Sequence, residues 1–443
     1  MGRRFPRSGF RRQAGFGVRH LVRRSGQGAG ADRCRAVPAL GHHPRQCRGR
    51  PQRDGPCAPR RLTARPAGFY RKRDRHLTQG RGTILNPRFD IARSDRSIVT
   101  LGRVQQDALA ELKGRIASGE MRFESFDCPI CGGSDIQPLA TRDRYGVPCV
   151  TGVCADCGLM QTNPYPDGES LGWFYGTIFA RLHRGTETPS DTRFEARRAK
   201  AATIVSWLKN HGGPTGGTMI DVGCASGGFL QGMVDHGFAG FGVEIDADYA
   251  ADARERGLDV RIGTVDTVAE AKQADLVTYM QVLEHIPGLN EEIERLATTL
   301  KQGACVFIEV PGPTSVPGMY NYDFLRLLQL AHVWHFTPAT LTAAMARHGF
   351  KCVAIDDFVR GLFRFTGERR QPGEFPTETP ADIAAMLRRL EGQRLRHWRT
   401  WAIKAKALAK RLTREVRSSP RSRCRSRSAC GPQSKADNCA RPR

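Results

Sequence analysis

The fold of this chain is decided by the stretch Ile220-Asp-Val-Gly-Cys-Ala-Ser-Gly-Gly-Phe-Leu230. Its apolar start predicts a strand, its glycines predict a tight turn, and the apolar residues that follow predict a helix. A second apolar segment soon ends in Glu244-Ile-Asp246. A strand, a glycine-rich turn, a helix and a second strand ending in an acid are typical of a βαβ unit that binds a nucleotide-type cofactor. We therefore expect an α/β fold.

Four later motifs extend this pattern. They are Asp275-Leu-Val, Val282-Leu-Glu-His-Ile-Pro287, Ala304-Cys-Val-Phe-Ile-Glu-Val310 and His335-Phe-Thr-Pro338. With the glycine-rich turn, they make residues 196–366 resemble the class I S-adenosylmethionine-dependent methyltransferases. The resemblance implies a Rossmann-like seven-stranded sheet within a domain of residues 190–370. It also implies S-adenosylmethionine as the cofactor.

The glycine-rich turn has the residue types that a bound cofactor needs. Gly223 and Gly227 allow the backbone to pass close to a ligand, and the helix that follows presents free N–H groups. Ala225 stands where the consensus has its middle glycine. We expect all three residues to line the cofactor site.

Further cofactor contacts are implied by the resemblance. Asp221 would approach the methionine amino end through water or backbone, and Glu244 would accept hydrogen bonds from both ribose hydroxyls, since a carboxylate offers two acceptors to a diol. Asp266 lies in the loop expected near the adenine. Gln281 follows the fourth strand, and we expect it at the same cleft.

Methyl transfer needs alignment of donor and acceptor and, for many acceptors, a base. Glu284 and His285 follow the fourth strand, and histidine has a near-neutral pKa that suits a base. In sugar C-methyltransferases that this chain resembles, such a pair abstracts a proton, aided by a tyrosine three positions before the histidine. Here that position is Val282, which makes O-methylation at least as plausible as C-methylation. The alternative is that Glu284 and His285 only brace the loop.

Two cysteine pairs predict a structural metal site. Cys128-Pro-Ile-Cys131 and Cys154-Ala-Asp-Cys157 are each followed by glycine, as in a zinc ribbon. Four thiolates complete a tetrahedral shell and leave no open position, so we expect structural zinc in a ribbon of residues 121–165. A redox dithiol is the alternative. Bacterial methyltransferases of sugars, glycans and secondary metabolites resemble this arrangement of ribbon and methyltransferase domain.

The net charge of +25 belongs to the two ends of the chain. Residues 1–100 hold 25 Lys and Arg against 5 Asp and Glu, and residues 401–443 hold 13 against 2. We expect a disordered Arg-rich head over 1–100 and a disordered tail over 417–443. The rest is mildly acidic, so a nucleic-acid partner is not expected. Neither an apolar signal segment nor a membrane-spanning run occurs, and we expect a cytoplasmic location.

Two segments remain. Residues 311–333 predict a helix and a lid over the acceptor pocket, with His332 and His335 beyond it in a packed aromatic turn. Residues 379–416 predict one or two basic helices with tryptophans. Such helices pack on the core or on a second subunit, and the alternative is contact with an anionic membrane surface.

These patterns together predict an S-adenosylmethionine-dependent methyltransferase whose acceptor is a small molecule or a glycan precursor. An RNA methyltransferase is one alternative, and it requires a basic face on the core. A zinc-ribbon adaptor without turnover is the other. The sequence does not identify the acceptor, the methylated atom or the oligomeric state.

Overall fold

A computed structural model of the protein describes residues 87–186, 188–374 and 378–418. The expected disorder of the tail, and of the head as far as residue 86, lies outside the described residues. Within the described ranges, no helix combines the length and the apolar character needed to cross a membrane.

The strands and helices of the described residues are as follows. The strands are β1 (Phe123–Glu124), β2 (Ile136–Arg142), β3 (Pro148–Cys154), β4 (Met160–Thr162), β5 (Tyr165–Pro166), β6 (Gly217–Val222), β7 (Phe238–Glu244), β8 (Val260–Ile262), β9 (Leu276–Met280), β10 (Cys305–Glu309), β11 (Trp334–His335), β12 (Phe350–Ile355) and β13 (Arg360–Phe365). The α-helices are α1 (Arg103–Ser118), α2 (Gly168–Trp173), α3 (Asp191–Asn210), α4 (Gly228–Asp235), α5 (Ala247–Glu255), α6 (Leu289–Thr299), α7 (Val316–Tyr320), α8 (Pro338–Ala346), α9 (Pro380–Arg396) and α10 (Trp398–Ser418). A π-helix, Phe174–Arg184, continues α2.

The large sheet has the strand order β12-β13-β10-β9-β6-β7-β8. Strands β8, β7, β6, β9 and β10 run parallel, and β13 is antiparallel to both of its neighbours. The chain moves from β6 to β7 on one side and later returns to β9 on the other. Such a reversal opens a crevice at the carboxyl ends of the strands, where open α/β sheets bind ligands. This topology confirms the expected Rossmann-like seven-stranded sheet and puts the glycine-rich turn at the crevice.

The central strands are largely apolar because helices cover both faces of the sheet, and most of their polar residues lie toward the carboxyl ends. Successive residues of β10 point to opposite sides, so Phe307 packs in one core cluster and Ile308 in the other. Both side chains are fully buried. Burying a side chain of this size stabilises the fold by about 1.5–3 kcal/mol. The sheet is therefore a rigid base for the loops at its carboxyl edge.

Residues 87–100 differ from the sequence prediction, which placed them in the disordered head. Phe89 is only 2 % exposed and packs edge-on against the ring of Phe324. The Arg88 guanidinium lies 2.5 Å from Asp323 and 2.8 Å from Glu391. An apolar anchor and a doubly paired arginine explain why this segment is ordered although its surroundings in sequence are basic. The folded part of the chain thus begins before residue 100.

Helix α1 was not predicted from the sequence. Its Ala108, Leu112 and Ile116 recur at a spacing of four residues and form one buried face. That face packs in a cluster with Phe174 and Ile178 of the segment that follows the ribbon. The apolar spacing was visible in the sequence but short, and charged residues surround it.

The zinc-ribbon region shares its sheet with a distant part of the chain. Its antiparallel sheet has the order β11-β4-β3-β2, in which β11 comes from the segment after β10. Trp334 is paired with Gln161 and His335 with Met160. Strand β11 therefore joins the ribbon to the large domain in one sheet, so that the ribbon is not a separate module.

The segment of residues 311–333, called the insertion below, and helix α9 pack on this ribbon sheet. Phe324 and Leu325 of the insertion are fully buried in a cluster with Ile383, Leu387 and Leu390 of α9. The predicted helix of the insertion is the short α7, and most of the segment is core. The C-terminal region forms two helices, of which α9 packs on the core.

Candidate functional site

The glycine-rich turn connects β6 to α4 at the edge of the crevice. Gly223 has φ 65° and Gly227 has φ 77°, a region that glycine enters without strain. A Cβ placed on Gly223 would lie 2.7 Å from Cγ2 of Val282, so only glycine leaves room between these two loops. Ala225 adopts φ 49°, an unusual conformation for a residue with a side chain. The turn is thus shaped for close approach to its backbone.

Glu244 holds the neighbouring corner of the crevice. One carboxylate oxygen accepts a hydrogen bond from the Ala225 backbone N–H at 2.8 Å. The other accepts from the N–H groups of Ile245 and Asp246 at 2.8 and 2.9 Å. These bonds fix the carboxylate at the end of β7 and occupy three of its about four acceptor sites, which leaves one site on Oε2 for a ligand hydroxyl. The geometry fits a contact with one ribose hydroxyl, and the expected contact with both stays a prediction.

Asp221 lies beneath the turn, where strand order reverses between β6 and β9. Its carboxylate is 2 % exposed and accepts a hydrogen bond from the Thr278 hydroxyl at 2.7 Å. Burial raises the pKa of Asp221 to about 7. A cationic ammonium bound nearby would favour the ionised form, which suits the expected role next to the methionine end.

The two remaining predicted cofactor residues lie at the sides of the crevice. Asp266 follows β8 and is exposed; its carboxylate accepts a bond from the Thr264 hydroxyl at 2.6 Å. Gln281 follows β9 at φ 62°, and its side-chain oxygen is 3.4 Å from the Arg197 guanidinium. The seven predicted residues therefore surround one crevice at the carboxyl ends of β6, β7, β8 and β9. They fit S-adenosylmethionine, and their individual roles stay predictions.

Helix α3 closes the crevice from above with two cations that were not predicted. Lys200 forms an ion pair of 2.5 Å with Glu309, at the end of β10, and Arg197 reaches Gln281. Glu309 is 5 % exposed, and its second oxygen has no hydrogen-bond partner among the described residues. The roof of the crevice is thus tied electrostatically to the strand ends below it.

Glu284 and His285 occupy a single helical turn after β9. The imidazole Nδ1 lies 2.9 Å from the carbonyl oxygen of Ala331, so Nδ1 carries the hydrogen and Nε2 keeps its lone pair. Burial lowers the pKa of His285 to about 4. The imidazole is therefore neutral, with a fixed tautomer whose Nε2 can accept a proton, and the lowered pKa makes it a weaker base than an exposed histidine.

Glu284 is the acidic neighbour of this imidazole. Its carboxyl oxygen Oε1 is 3.7 Å from His285 Nε2, and the side chain is 1 % exposed. Burial raises the pKa of Glu284 to about 8. Oε2 has no hydrogen-bond partner among the described residues. An unpaired buried oxygen is costly, and the cost is lower when the carboxyl is protonated.

Tyr175, to which no role was assigned from the sequence, reaches this site from the π-helix. Its hydroxyl donates to the Ala331 carbonyl at 3.3 Å and lies 3.2 Å from His285 Nδ1. Phe179, one turn later, packs edge-on against the His285 ring at 5.6 Å. A tyrosine 110 residues away thus lies beside the histidine, while position 282 holds valine. The signal in the sequence was the aromatic pair at a spacing of four.

His332 and His335 lie behind His285 in the packed turn. The rings of His332 and His285 are 4.8 Å apart, and His332 Nε2 contacts the Gln329 amide. His335 is fully buried, with Nε2 3.3 Å from the Thr162 hydroxyl. Burial lowers the pKa of His335 to about 3, and that of His332 well below its usual value. Both imidazoles are therefore neutral and pack behind His285.

The four predicted metal ligands come together at one point. The sulfur atoms of Cys128 and Cys157 are 3.4 Å apart, as are those of Cys131 and Cys154, and all four lie within 4.8 Å of one another. Four thiolates at about 2.3 Å from a central zinc would be separated by about 3.8 Å, so the cluster fits a tetrahedral ion.

The knuckles have the local geometry of a zinc ribbon. Gly132 donates its N–H to the Cys128 carbonyl at 2.8 Å, and Gly158 donates to Cys154 at 3.0 Å. Both glycines have φ 77°. A φ of this value favours glycine, which explains why a glycine follows each cysteine pair in the sequence.

The ribbon is connected directly to the segment from Ala331 to Val333. Thr162 donates its N–H to the Val333 carbonyl at 2.8 Å and its hydroxyl to the His332 carbonyl at 2.7 Å. On the other side, Asn290 donates to the carbonyl of Pro129 at 3.0 Å. The four-cysteine cluster therefore supports the segment that carries Ala331.

The central part of the chain matches a family model. Residues 194–355 match a model described as a methyltransferase domain. This range includes the glycine-rich turn, Glu244 and the Glu284–His285 pair. It excludes the cysteine knuckles and Tyr175.

Similar proteins carry related names. A ubiquinone biosynthesis O-methyltransferase of Azoarcus sp. (strain BH72) is 32 % identical over 111 residues, which are 23 % of this chain and 48 % of that protein. The protein of that name from Bordetella avium is 29 % identical over 126 residues, 26 % of this chain and 52 % of the relative. The chain thus spans about half the length of the curated relatives it matches.

Solved structures give weaker likenesses. A SAM-dependent methyltransferase from Archaeoglobus fulgidus has 22 % identity and a TM-score of 0.31, covering 40 % of this chain and 75 % of that one. Streptomyces venezuelae DesVI has 16 % identity and a TM-score of 0.31, covering 39 % and 93 %. Residues 194–355 of this chain therefore match a methyltransferase domain, and the strand order and the glycine-rich turn are those expected for the class I, S-adenosylmethionine-dependent type.

Proposed function

We propose that this chain transfers a methyl group from S-adenosylmethionine to a hydroxyl oxygen of a small-molecule acceptor, with His285 as the base. The observation that carries the proposal is the fixed tautomer of His285, whose Nδ1–H is bonded to Ala331 and whose Nε2 is free to accept a proton. It lies after β9, next to the strand that ends at the glycine-rich turn. A base at that place is where an acceptor beside the cofactor would need it.

The residues around the crevice, from Asp221 to Gln281, would hold the cofactor, which would supply an electrophilic methyl group to the acceptor oxygen, with the electron pair of the broken sulfur–carbon bond staying on sulfur. The hydroxyl proton passes to Nε2 of His285. Glu284 Oε1, 3.7 Å away, then faces the imidazolium. Burial raises the pKa of Glu284 to about 8, so this carboxyl is protonated before the transfer, and the new positive charge favours its ionisation.

Oxygen as the methylated atom is supported by two observations. The relatives that match over about half their length are named O-methyltransferases. Position 282 is valine, where the C-methyltransferases that the chain resembles have a tyrosine. Tyr175 lies beside His285, but its hydroxyl donates to the Ala331 carbonyl.

The test is a turnover assay on the full chain with methyl-labelled cofactor. The acceptor panel contains phenols, hydroxylated quinone precursors, nucleotide sugars and RNA. We expect methyl ethers, located by mass spectrometry, and loss of product formation in His285→Ala with unchanged cofactor affinity. Methyl on carbon would support the C-methylation alternative, and methyl on RNA would support an RNA methyltransferase. Cofactor binding without product from any acceptor would support the adaptor alternative.

A further inference from the structure

Helix α10 has an exposed apolar stripe, and within the described residues Lys404 of the same helix lies over its Trp401 ring at 4.9 Å. Trp401, Ala405 and Leu408 recur at spacings of four and three residues, which places them on one side of a helix. Trp401 is 57 % exposed and Leu408 is 58 % exposed. Large apolar side chains that lie together in water indicate a binding surface.

The helix is attached to the fold at a defined point. Helix α9, which precedes it, buries Ile383 and Leu387 in the core. At the junction, the ring of His397 lies 4.8 Å from the ring of Tyr322 in the insertion. The Trp401 indole N–H donates to the Leu395 carbonyl at 2.9 Å. Helix α10 therefore starts beside the acceptor-side insertion, while its apolar stripe stays outside the core.

The charge of α10 selects what can cover this stripe. The helix contains seven Lys and Arg and a single acid, Glu415. Tail residues 419–443 hold seven Lys and Arg against one Asp, and the head is also basic. The basic tail and the basic head are repelled by the positive charge of α10, and so is a second copy of the same helix. None of these three is therefore favoured as the surface that covers the stripe. An anionic surface with an apolar interior would bind both the apolar stripe and the basic side chains of α10.

We propose that α10 lies in the surface of an anionic lipid bilayer, with Trp401 and Leu408 inserted among the acyl chains and its lysines at the headgroups. Tryptophan prefers the boundary between headgroups and hydrocarbon, and lysine stems extend from apolar surface toward charge. A helix with a basic polar face binds anionic surfaces in this way without spanning them. The membrane then lies next to the insertion, on the side where α9 and α10 meet.

The test measures partition of the full chain onto vesicles by flotation. Vesicles of phosphatidylcholine are compared with vesicles that also contain phosphatidylglycerol. Because the basic head and tail bind anionic vesicles through charge alone, the informative variant removes apolar surface and keeps the charge. Trp401→Ser with Leu408→Ser should weaken partition onto the anionic vesicles by about tenfold. The matched control, Val104→Ser with Val353→Ser, removes exposed apolar side chains elsewhere and should partition like the wild-type chain.

Three results would overturn the proposal. One is equal partition of the wild-type chain and the Trp401/Leu408 variant, which assigns binding to the tails. Another is a dimer in sedimentation that this variant abolishes, which assigns the stripe to a second copy. The third is no partition of the wild-type chain onto anionic vesicles. Melting temperatures of both double variants that equal the melting temperature of the wild-type chain establish that neither variant is misfolded.

Discussion

The Nδ1–H of His285 donates a hydrogen bond of 2.9 Å to the backbone carbonyl of Ala331, which lies 46 residues further along the chain. Three residues after Ala331 the chain enters β11, which pairs with β4 of the ribbon. The tautomer of the proposed base is therefore set by a segment that the four-cysteine region holds in place. This relationship connects the predicted zinc site to catalysis without any contact between zinc and substrate.

Replacement of His285 by alanine should reduce kcat by about 10²- to 10⁴-fold, the usual contribution of a positioned base. Binding of S-adenosylmethionine should be unchanged, because the predicted cofactor contacts come from other residues. Tyr175→Phe is the matched variant, because it removes a hydroxyl beside His285 but leaves the hydrogen bond from His285 Nδ1–H to the Ala331 carbonyl. Its kcat should fall by less than about tenfold. Single-turnover kinetics and calorimetry measure the two quantities. Equal losses in both variants would show that Tyr175 is itself required for proton transfer.

The buried carboxyl of Glu284 predicts a pH-dependent change in stability. Its pKa is raised to about 8 by burial, so the fold favours the protonated form. That stabilisation is complete below the unfolded pKa of about 4.5 and is lost as pH rises through 8. Glu284→Gln, which cannot ionise, should be more stable than the wild-type chain at pH 8.5, by on the order of a few kcal/mol, and close to it at pH 4.5. Urea unfolding of the cofactor-free proteins at both values measures this. A pH-independent difference would contradict the buried, protonated state.

Loss of the metal site should damage both the fold and the active site. Cys154→Ser should abolish zinc binding and destabilise the chain by about 2–5 kcal/mol, because structural zinc binding is coupled to folding. The control is Cys352→Ser, a half-buried cysteine of β12, which should retain one zinc per chain. Zinc content by elemental analysis and unfolding curves test this prediction. A fully active, zinc-free wild-type chain would refute the structural role.

Close packing at the glycine-rich turn gives a further prediction. Gly223→Ala combines a strained φ of 65° with a clash against Val282, so cofactor affinity should fall by at least about tenfold. Gly212→Ala is the control, since Gly212 has a similar φ of 71° but nothing within 4 Å of an added Cβ. It should lose some stability and keep its cofactor affinity. Equal affinities in the two variants would mean that the turn does not contact the cofactor.

The sequence predicted the parts of the site that are local. The turn from Asp221 to Gly227, the acid Glu244 and the two cysteine knuckles are short motifs in which spacing and residue type are dictated by backbone geometry. The buried parallel strands were equally visible, because strands covered on both faces are largely apolar. These features required no knowledge of distant contacts.

The contacts missed from the sequence are long-range or disguised by charge. The approach of Tyr175 to His285 and the pairing of β4 with β11 depend on how loops close over the sheet, which periodicity does not encode. Residues 87–100 have a basic composition, yet Phe89 and the paired Arg88 hold them on the core. Because composition averages over a whole segment, it does not show that two residues such as Phe89 and Arg88 hold the segment on the core.

The central claim is that the crevice around Glu244 binds S-adenosylmethionine, and isothermal calorimetry on the full chain tests it most directly. We predict one site of micromolar affinity for S-adenosylmethionine and for S-adenosylhomocysteine. Glu244→Ala should weaken both by at least about tenfold, since the ribose loses its carboxylate acceptor and the turn loses the bond to the Ala225 N–H. Glu368→Ala, an exposed acid elsewhere on the chain, should bind like the wild-type protein. No heat from either ligand with a folded wild-type chain, or equal affinities in the two variants, would contradict this account of the site.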